Sequence, residues 1–368
     1  MKVLVVDDSA LVRKLFGRVL AGESDIEVAF ARNGIEALSK LEEFAPDVIT
    51  LDVQMPQMDG LACLDRIMIQ RPCPVVMVSS ITSEGAEATL DALRLGAVDF
   101  VSKPTGAVSL RIDEFAPVLK EKVRAAASAR LPASRRLKER VRYKTRGTPP
   151  PPTRGKPEVS HELTEDPVEA AQGEGVVLVG TSTGGPAALE ALLVALPPTF
   201  PWPILVAQHM PATFTGSLAT RLDGICALDV VEAARPMQLR AGCVYIGRGD
   251  ADMVVSKRAS GLIVTSVPAK SDYPWHPSTE RLVRSAMEHV PAKQLIGVLM
   301  TGMGNDGAKA MTELRENGGR TIAEAEETAV VWGMPGELVR AGGATWVVAL
   351  PKIAQRLQTA VPKHATRP

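Results

Sequence analysis

The sequence predicts an α/β protein built from two doubly wound parallel-sheet domains joined by a flexible linker. Three observations predict it. Short Val/Ile-rich runs alternate with amphipathic stretches over residues 1–122, a polar and proline-rich stretch follows, and the alternation resumes at Gly175. Continuous apolar runs suit strands buried on both faces, and strand–helix alternation favours parallel order. At 368 residues the chain also exceeds what a single core usually serves.

In residues 1–122 the strands are expected at Val3–Val6, Ile26–Ala29, Asp47–Leu51, Val75–Val78 and Ala97–Val101. Between the first two, Leu11, Val12, Leu15, Phe16 and Val19 share one helical face. Residues 123–174 read as the linker, stiff at Pro149–Pro152 and mobile elsewhere, because little in them could be buried. Its basic portion, Arg135 to Arg146, is expected to be a solvated tether, with docking of an acidic partner as the alternative. In residues 175–363 strands are expected at Val176–Val179, Ile204–Ala207, Val244–Ile246, Ile263–Val267, Leu295–Met300, Thr321–Ala323 and Thr345–Val348. Helices are expected at Pro186–Leu196, Ser278–His289 and Gly307–Asn317. No internal repeat joins the halves.

Composition narrows the function. Acidic and basic residues number 42 each, so no net field draws the chain to nucleic acid or an anionic membrane. Cys63, Cys73, Cys226 and Cys243 are scattered without metal-ligand spacing and read as buried thiols in a reducing cytosol. The opening apolar run is too short for a secretory signal, and no stretch reaches the roughly 20 apolar residues of a membrane span. The expectation is a cytoplasmic protein without membrane insertion. A DNA-binding output domain is disfavoured, since the second half has many strands and no compact three-helix pattern.

In an open parallel sheet, chemistry gathers at the carboxyl ends of the strands. Asp7 and Asp8 end the first strand and Asp52 the third, so three carboxylates converge. They would repel one another unless a hard cation held them, and Mg²⁺ suits such oxygen ligands. A carboxylate so placed can attack a phosphoryl donor, which makes Asp52 the candidate phosphoacceptor. Ser79 and Lys103, at two further strand ends, supply a hydroxyl and a cation for the phosphate oxygens. The Lys103–Pro104 bond is a candidate for the cis isomer.

This segment resembles response-regulator receiver domains in Val-Val-Asp7-Asp8-Ser, Asp52-Val-Gln-Met-Pro-Gln-Met-Asp-Gly, Val-Ser79-Ser and Lys103-Pro. The resemblance implies a flavodoxin-like fold, Mg²⁺ held by Asp8, Asp52 and the Gln54 carbonyl with Asp7 assisting, and a histidine kinase as phosphoryl donor. Phe100 stands where many receivers carry a tyrosine, which excludes a hydroxyl-dependent relay there.

In the second half, Gly180-Thr-Ser182-Thr-Gly184 fits a serine on a tight strand-to-helix turn, with Pro186 at the start of a helix. By spacing alone, the same glycine-rich turn serves a bound phosphate or nucleotide equally well. Of five histidines, His161 and His364 fall in the linker and tail, and His289 sits near a helix end. His209 directly follows an apolar strand, where a catalytic base would be aimed. Asp306, in a glycine-rich loop after a strand, is the acid candidate, with capping of the helix at Gly307 as its structural alternative. Asp250 and Asp252 are rivals, although Gly247–Asp252 reads as a hairpin turn.

The order Ser182, His209, Asp306 departs from that of α/β-hydrolases, where the acid precedes the histidine. It resembles instead the bacterial chemotaxis protein-glutamate methylesterases, through Gly-Thr-Ser182-Thr-Gly-Gly-Pro, Gln208-His209-Met, Thr301-Gly-Met-Gly-Asn-Asp306-Gly and Glu326-Glu-Thr-Ala-Val-Val-Trp-Gly-Met-Pro335. The resemblance covers nearly all of the second half and implies a Rossmann-like serine hydrolase needing no cofactor for the ester reaction. Its substrates would be methylated glutamates, and glutamines, of chemoreceptors. Backbone N–H groups at Thr183 and Met303 would form the oxyanion hole, each worth about 2.7–4 kcal/mol of barrier. His276 departs from the family, which usually places a basic residue before Pro-Ser, and it stands as an alternative base or a change in receptor docking. Tethering raises effective concentration, so the unphosphorylated first domain is expected to restrain the second, and phosphorylation to release it.

Overall fold

The computed structural model describes residues 1–80, 82–103, 112–131 and 175–361. The chain divides into two compact units, Met1–Ala133 and Ser134–Pro368. Most of the expected linker with its basic portion, His161, His364 and Pro104 lie outside the described residues.

The first unit holds five parallel strands, β1 (Lys2–Val6), β2 (Glu27–Ala31), β3 (Val48–Asp52), β4 (Val75–Ser79) and β5 (Asp99–Ser102), in the order β2-β1-β3-β4-β5. This is the flavodoxin-like order, whose switch point lies between β1 and β3. Helices α1 (Ala10–Ala21), α2 (Gly34–Glu43), α3 (Gly60–Gln70), α4 (Ser83–Leu95) and α5 (Ile112–Ala127) complete the unit, and α5 runs past residue 122. Ser9, Asn33, Asp59 and Thr82 cap the first four, each accepting a backbone N–H on its side-chain oxygen. Strands β1, β3 and β4 are buried almost throughout, as their unbroken apolar runs require. Val6 pairs with Leu51, a register that brings the next residues, Asp7 and Asp52, side by side.

The second unit has a seven-stranded parallel sheet in the order β15-β14-β13-β6-β7-β10-β8. Its strands are β6 (Val176–Thr181), β7 (Ile204–Gln208), β8 (Asp229–Ala233), β10 (Cys243–Gly247), β13 (Leu295–Leu299), β14 (Arg320–Glu324) and β15 (Trp346–Val348). The order reverses at β6, flanked by β7 on one side and β13 on the other, so the crevice opens over the carboxyl ends of these three. Helices are α6 (Gly185–Leu193), α7 (Ala212–Ile225), α8 (Thr279–His289), α9 (Ala308–Glu316), α10 (Met334–Arg340) and α11 (Leu350–Ala360). The core beneath them includes Leu178, Leu205, Tyr245, Leu282, Leu299 and Met311.

Two expectations are corrected here. The run at Ile263–Val267 does not join the parallel sheet: it lies in β12 (Gly261–Pro268), within a separate antiparallel sheet with β9 (Met237–Gln238) and β11 (Ala251–Arg258). Residues 247–252 are not a hairpin turn either, because β10 and β11 belong to different sheets, and the tight turn falls between Arg258 and Gly261. Strand β11 buries Met253 and Val255 but exposes Lys257 and Arg258, so it lacks the continuous apolar run of the parallel strands.

Candidate active site and phosphoacceptor site

The register of the second sheet assembles the first site. Thr181 pairs with Gln208 and Gly180 with Leu299, so Ser182, His209 and the loop from Met300 leave three adjacent strands at one level. Ser182 N donates to the Thr301 carbonyl at 3.0 Å, and the Ser182 carbonyl accepts from Gly185 N at 2.8 Å. Gly184 has φ +77°, where a side chain would also run into Val330. A β-carbon on Gly302 would lie 2.8 Å from Ser182 Cβ and 2.4 Å from Met334 Sδ, so only glycine lets this loop approach the serine.

His209 is held at both its backbone and its ring. Its N–H donates to Thr181 O at 3.1 Å, and its Nε2 lies 2.8 Å from Asp306 Oδ2. The Trp275 ring stacks nearly parallel to the imidazole, with centroids 6.0 Å apart. Nδ1 is buried with no hydrogen-bond partner among the described residues, which leaves this nitrogen free to exchange a proton. No hydrogen bond joins Ser182 Oγ to His209 among the described residues, a contact that often tightens only with substrate bound.

Asp306 does cap a helix, but not the one that follows it. The N-cap of α9 is Gly307, with no side-chain bond. Asp306 reaches instead the start of α8, accepting from Thr279 N at 2.6 Å, Glu280 N at 3.1 Å and Ser278 Oγ at 3.0 Å. Burial pushes its carboxyl up, yet the His209 hydrogen bond and charge and the two backbone N–H groups outweigh it and hold it below the ordinary range. The rivals are engaged elsewhere. Asp250 accepts from Ala212 N at 3.2 Å, while buried Asp252 accepts from Ser278 N and pairs with Arg281 at 2.6 Å and with His276 Nδ1 at 2.9 Å. His276 is thus the partner of Asp252 rather than of Asp306.

Thr183 follows Ser182 beyond the end of β6 and Met303 lies in the loop after the neighbouring β13, and the Thr183 carbonyl accepts from Thr301 Oγ1 at 2.8 Å. Gln208, which the sequence offered only within the Gln208-His209-Met motif and with no role of its own, is buried, and its Nε2 donates to the carbonyls of both Ser182 and His209 at 3.0 Å. A polar residue closing an apolar strand was the available signal.

In the first unit, carboxylate oxygens of Asp7, Asp8 and Asp52 lie within 4.8 Å of one another. Lys103 Nζ sits 2.7 Å from Asp52 Oδ2 and 3.0 Å from Asp7 Oδ2. Burial, with Asp7 adding to it, pushes the Asp52 carboxyl up to about 6 against the opposing pull of Lys103. Burial lowers Lys103, but the two carboxylates outweigh it and raise the ammonium. Gln54 N donates to Asp52 Oδ1 at 3.4 Å. The Ser79 hydroxyl donates to the Gly85 carbonyl at 3.0 Å, so meeting a phosphoryl oxygen requires it to rotate. Arg13, not foreseen from sequence, donates to the carbonyls of Asp7 and Asp8. Phe100 is buried, with Lys122 Nζ 5.1 Å from its ring centroid.

Comparison with known proteins assigns both sites a context. Residues 177–357 match the CheB methylesterase family and residues 3–112 the response regulator receiver domain. The chain is 57% identical to protein-glutamate methylesterase/protein-glutamine glutaminase 2 of Rhodopseudomonas palustris (strain BisB18), over 96% of each chain. It is 51% identical to the protein-glutamate methylesterase/protein-glutamine glutaminase 3 of Rhodospirillum rubrum, over 97% of this chain and 95% of that one. Among solved structures it is similar to the Thermotoga maritima CheB methylesterase catalytic domain, at 36% identity and a TM-score of 0.49, over 51% of this chain and 98% of that one.

Proposed function

The chain belongs to the family of protein-glutamate methylesterase/protein-glutamine glutaminases that place a receiver before a CheB methylesterase domain, and on that premise we propose that Ser182, His209 and Asp306 are its catalytic triad. It is a serine carboxylic-ester hydrolase that removes methyl groups from receptor glutamates and deamidates receptor glutamines, activated by phosphorylation, in chemotactic adaptation. The receiver runs through α5 to Ala127, past the boundary at 122 expected from sequence because Val123, Ala125 and Ala126 are buried, and the esterase occupies 175–363.

The observation that carries the triad is the His209–Asp306 contact at 2.8 Å, at the strand ends beside Ser182. With Nε2 facing the acid, Nδ1 takes the Ser182 proton as Oγ attacks the ester carbonyl, then delivers it to the departing methoxide. Asp306 holds the tautomer and offsets the charge on the imidazolium. The Thr183 N–H, next in the chain to the serine, and the Met303 N–H, in the loop after β13, are the proposed donors for the oxyanion. Water activated by the same nitrogen releases the glutamate, and for a glutamine substrate ammonia leaves in place of methanol.

In the receiver, Asp52 accepts the phosphoryl group from a histidine kinase, and Lys103 and Ser79 receive its oxygens. The converging carboxylates of Asp7, Asp8 and Asp52 offer the hard oxygen donors Mg²⁺ prefers, and with the Gln54 carbonyl these residues would hold it. When bound, Mg²⁺ supplies charge neutralisation for the incoming phosphoryl group. The four cysteines are free buried thiols, which fits a cytoplasmic setting. Among the described residues no helix is long and apolar enough to cross a membrane.

The test is methanol release from methylated receptor membranes, with and without a small phosphodonor and Mg²⁺. Release stimulated in wild type, absent in Ser182→Ala and unresponsive in Asp52→Asn supports the assignment. Release by Ser182→Ala at the wild-type rate overturns the nucleophile, and stimulation of Asp52→Asn overturns the phosphoacceptor.

A further inference from the structure

Thr301, beyond the end of the neighbouring strand β13, bonds three successive residues of the turn carrying Ser182. The Thr301 carbonyl accepts from Ser182 N at 3.0 Å and from Thr181 Oγ1 at 3.1 Å. Its hydroxyl donates to Thr183 O at 2.8 Å and accepts from Val331 N at 3.0 Å. Its own N–H donates to Glu324 Oε2 at 2.8 Å. Thr181, Ser182 and Thr183 are thereby all tied to Thr301, and Thr301 is tied to Glu324.

Glu324 closes β14 and is 0% exposed. Its other oxygen accepts from Thr328 Oγ1 at 3.0 Å, and among the described residues no cation pairs with it. Taking a carboxyl wholly out of water without a counter-charge is costly, and packing alone gives no reason to keep one here.

We propose that Glu324 is a positioning residue for the esterase reaction, fixing through the Thr301 N–H the carbonyl and hydroxyl that hold the Ser182 N–H and the Thr183 carbonyl, and so the backbone on both sides of the serine. This rests on Ser182 being the nucleophile. Burial pushes the Glu324 carboxyl up to about 7, against the pull of its Thr301 and Thr328 hydrogen bonds. The protonated acid can still accept from Thr301 N–H while donating to the Thr328 hydroxyl, whose own hydrogen can pass to Ala325 O at 3.3 Å. The role therefore needs an acceptor at one oxygen and not a negative charge, and glutamine supplies the same pairing.

The experiment compares the full-length wild type with Glu324→Leu, Glu324→Asp, Glu324→Gln and Ser182→Ala, activated by phosphodonor and Mg²⁺, on methylated receptor membranes. Misplacing a catalytic group by about 1 Å costs on the order of a hundredfold. The expected result is that Glu324→Leu and Glu324→Asp lose about tenfold to a hundredfold in kcat with KM within about twofold, while Glu324→Gln stays within about threefold of wild type. Aspartate, one methylene shorter, keeps the carboxyl in a conservative setting and decides the matter if the leucine variant does not fold. Wild-type kcat in Glu324→Asp, or a fall in Glu324→Gln as deep as in Glu324→Asp, overturns the positioning role. If Ser182→Ala is inactive and the Glu324 variants are not impaired, only this proposal fails. An active Ser182→Ala overturns the nucleophile, and this proposal with it.

Discussion

The Nε2 of His209 and the Oδ2 of Asp306 lie 2.8 Å apart, and the same carboxylate receives the first backbone N–H groups of α8. The acid is thus anchored to a helix N-terminus, whose partial positive charge favours its ionised form. One carboxylate holds the His209 ring and closes a helix end, so its geometry is held from two sides.

Asp306→Asn is expected to lower kcat by about 10⁴-fold, since an amide cannot enforce the tautomer. It should also destabilise the fold by about 1 kcal/mol through the weakened helix terminus. Because the folded carboxyl lies below its ordinary range, its contribution is full above that range and is lost as pH falls through the folded value. Methanol release and thermal unfolding against pH check both, and a kcat within tenfold of wild type would remove Asp306 from the triad.

Gly302→Ala should cut kcat at least about tenfold, because its β-carbon must displace Ser182 Cβ or the Met334 sulfur. Phosphorylation of Asp52, followed with a radiolabelled small donor, should be unchanged. Equal activity in the two proteins would show that the loop yields freely.

Chelation of Mg²⁺ is expected to abolish stimulation by a phosphodonor and leave the basal esterase rate intact. The acidic cluster belongs to the first unit and the proposed triad to the second, so the two responses are expected to separate. A basal rate that falls with chelator would point to a metal in the ester reaction.

Glu324→Gln should change how stability depends on pH. In the unfolded chain this carboxyl titrates near 4.5, whereas in the folded protein burial holds the proton until about 7. Between those values the folded state binds more protons, so wild-type stability falls as pH rises, by about 3 kcal/mol across the interval. Glutamine does not titrate. The variant should gain on wild type from pH ~5 to ~8 in denaturant unfolding of the full-length protein, and a constant gap would contradict the raised value.

Much of both candidate sites was legible because it is local. Asp7, Asp8, Asp52, Ser182 and His209 each sit just beyond, or at the end of, a continuous apolar run, and such runs mark buried parallel strands whose carboxyl ends face the crevice. The partnership of Asp306 with α8, the removal of Asp252 to His276, and the tie from Glu324 through Thr301 to Ser182 left no such trace. Strand β11, apolar on one face only, likewise hid its membership of a separate sheet.

By itself, then, the sequence determined the two α/β domains, most of their parallel strands though not β8, and the residue types offered at those strand ends. Periodicity and turn chemistry act over a few residues, and the chain records them directly. Only the tertiary structure decided which of those residues meet. His209 and Asp306 are 97 positions apart, and their contact depends on strand order and register, which arise when distant runs bury their apolar faces together.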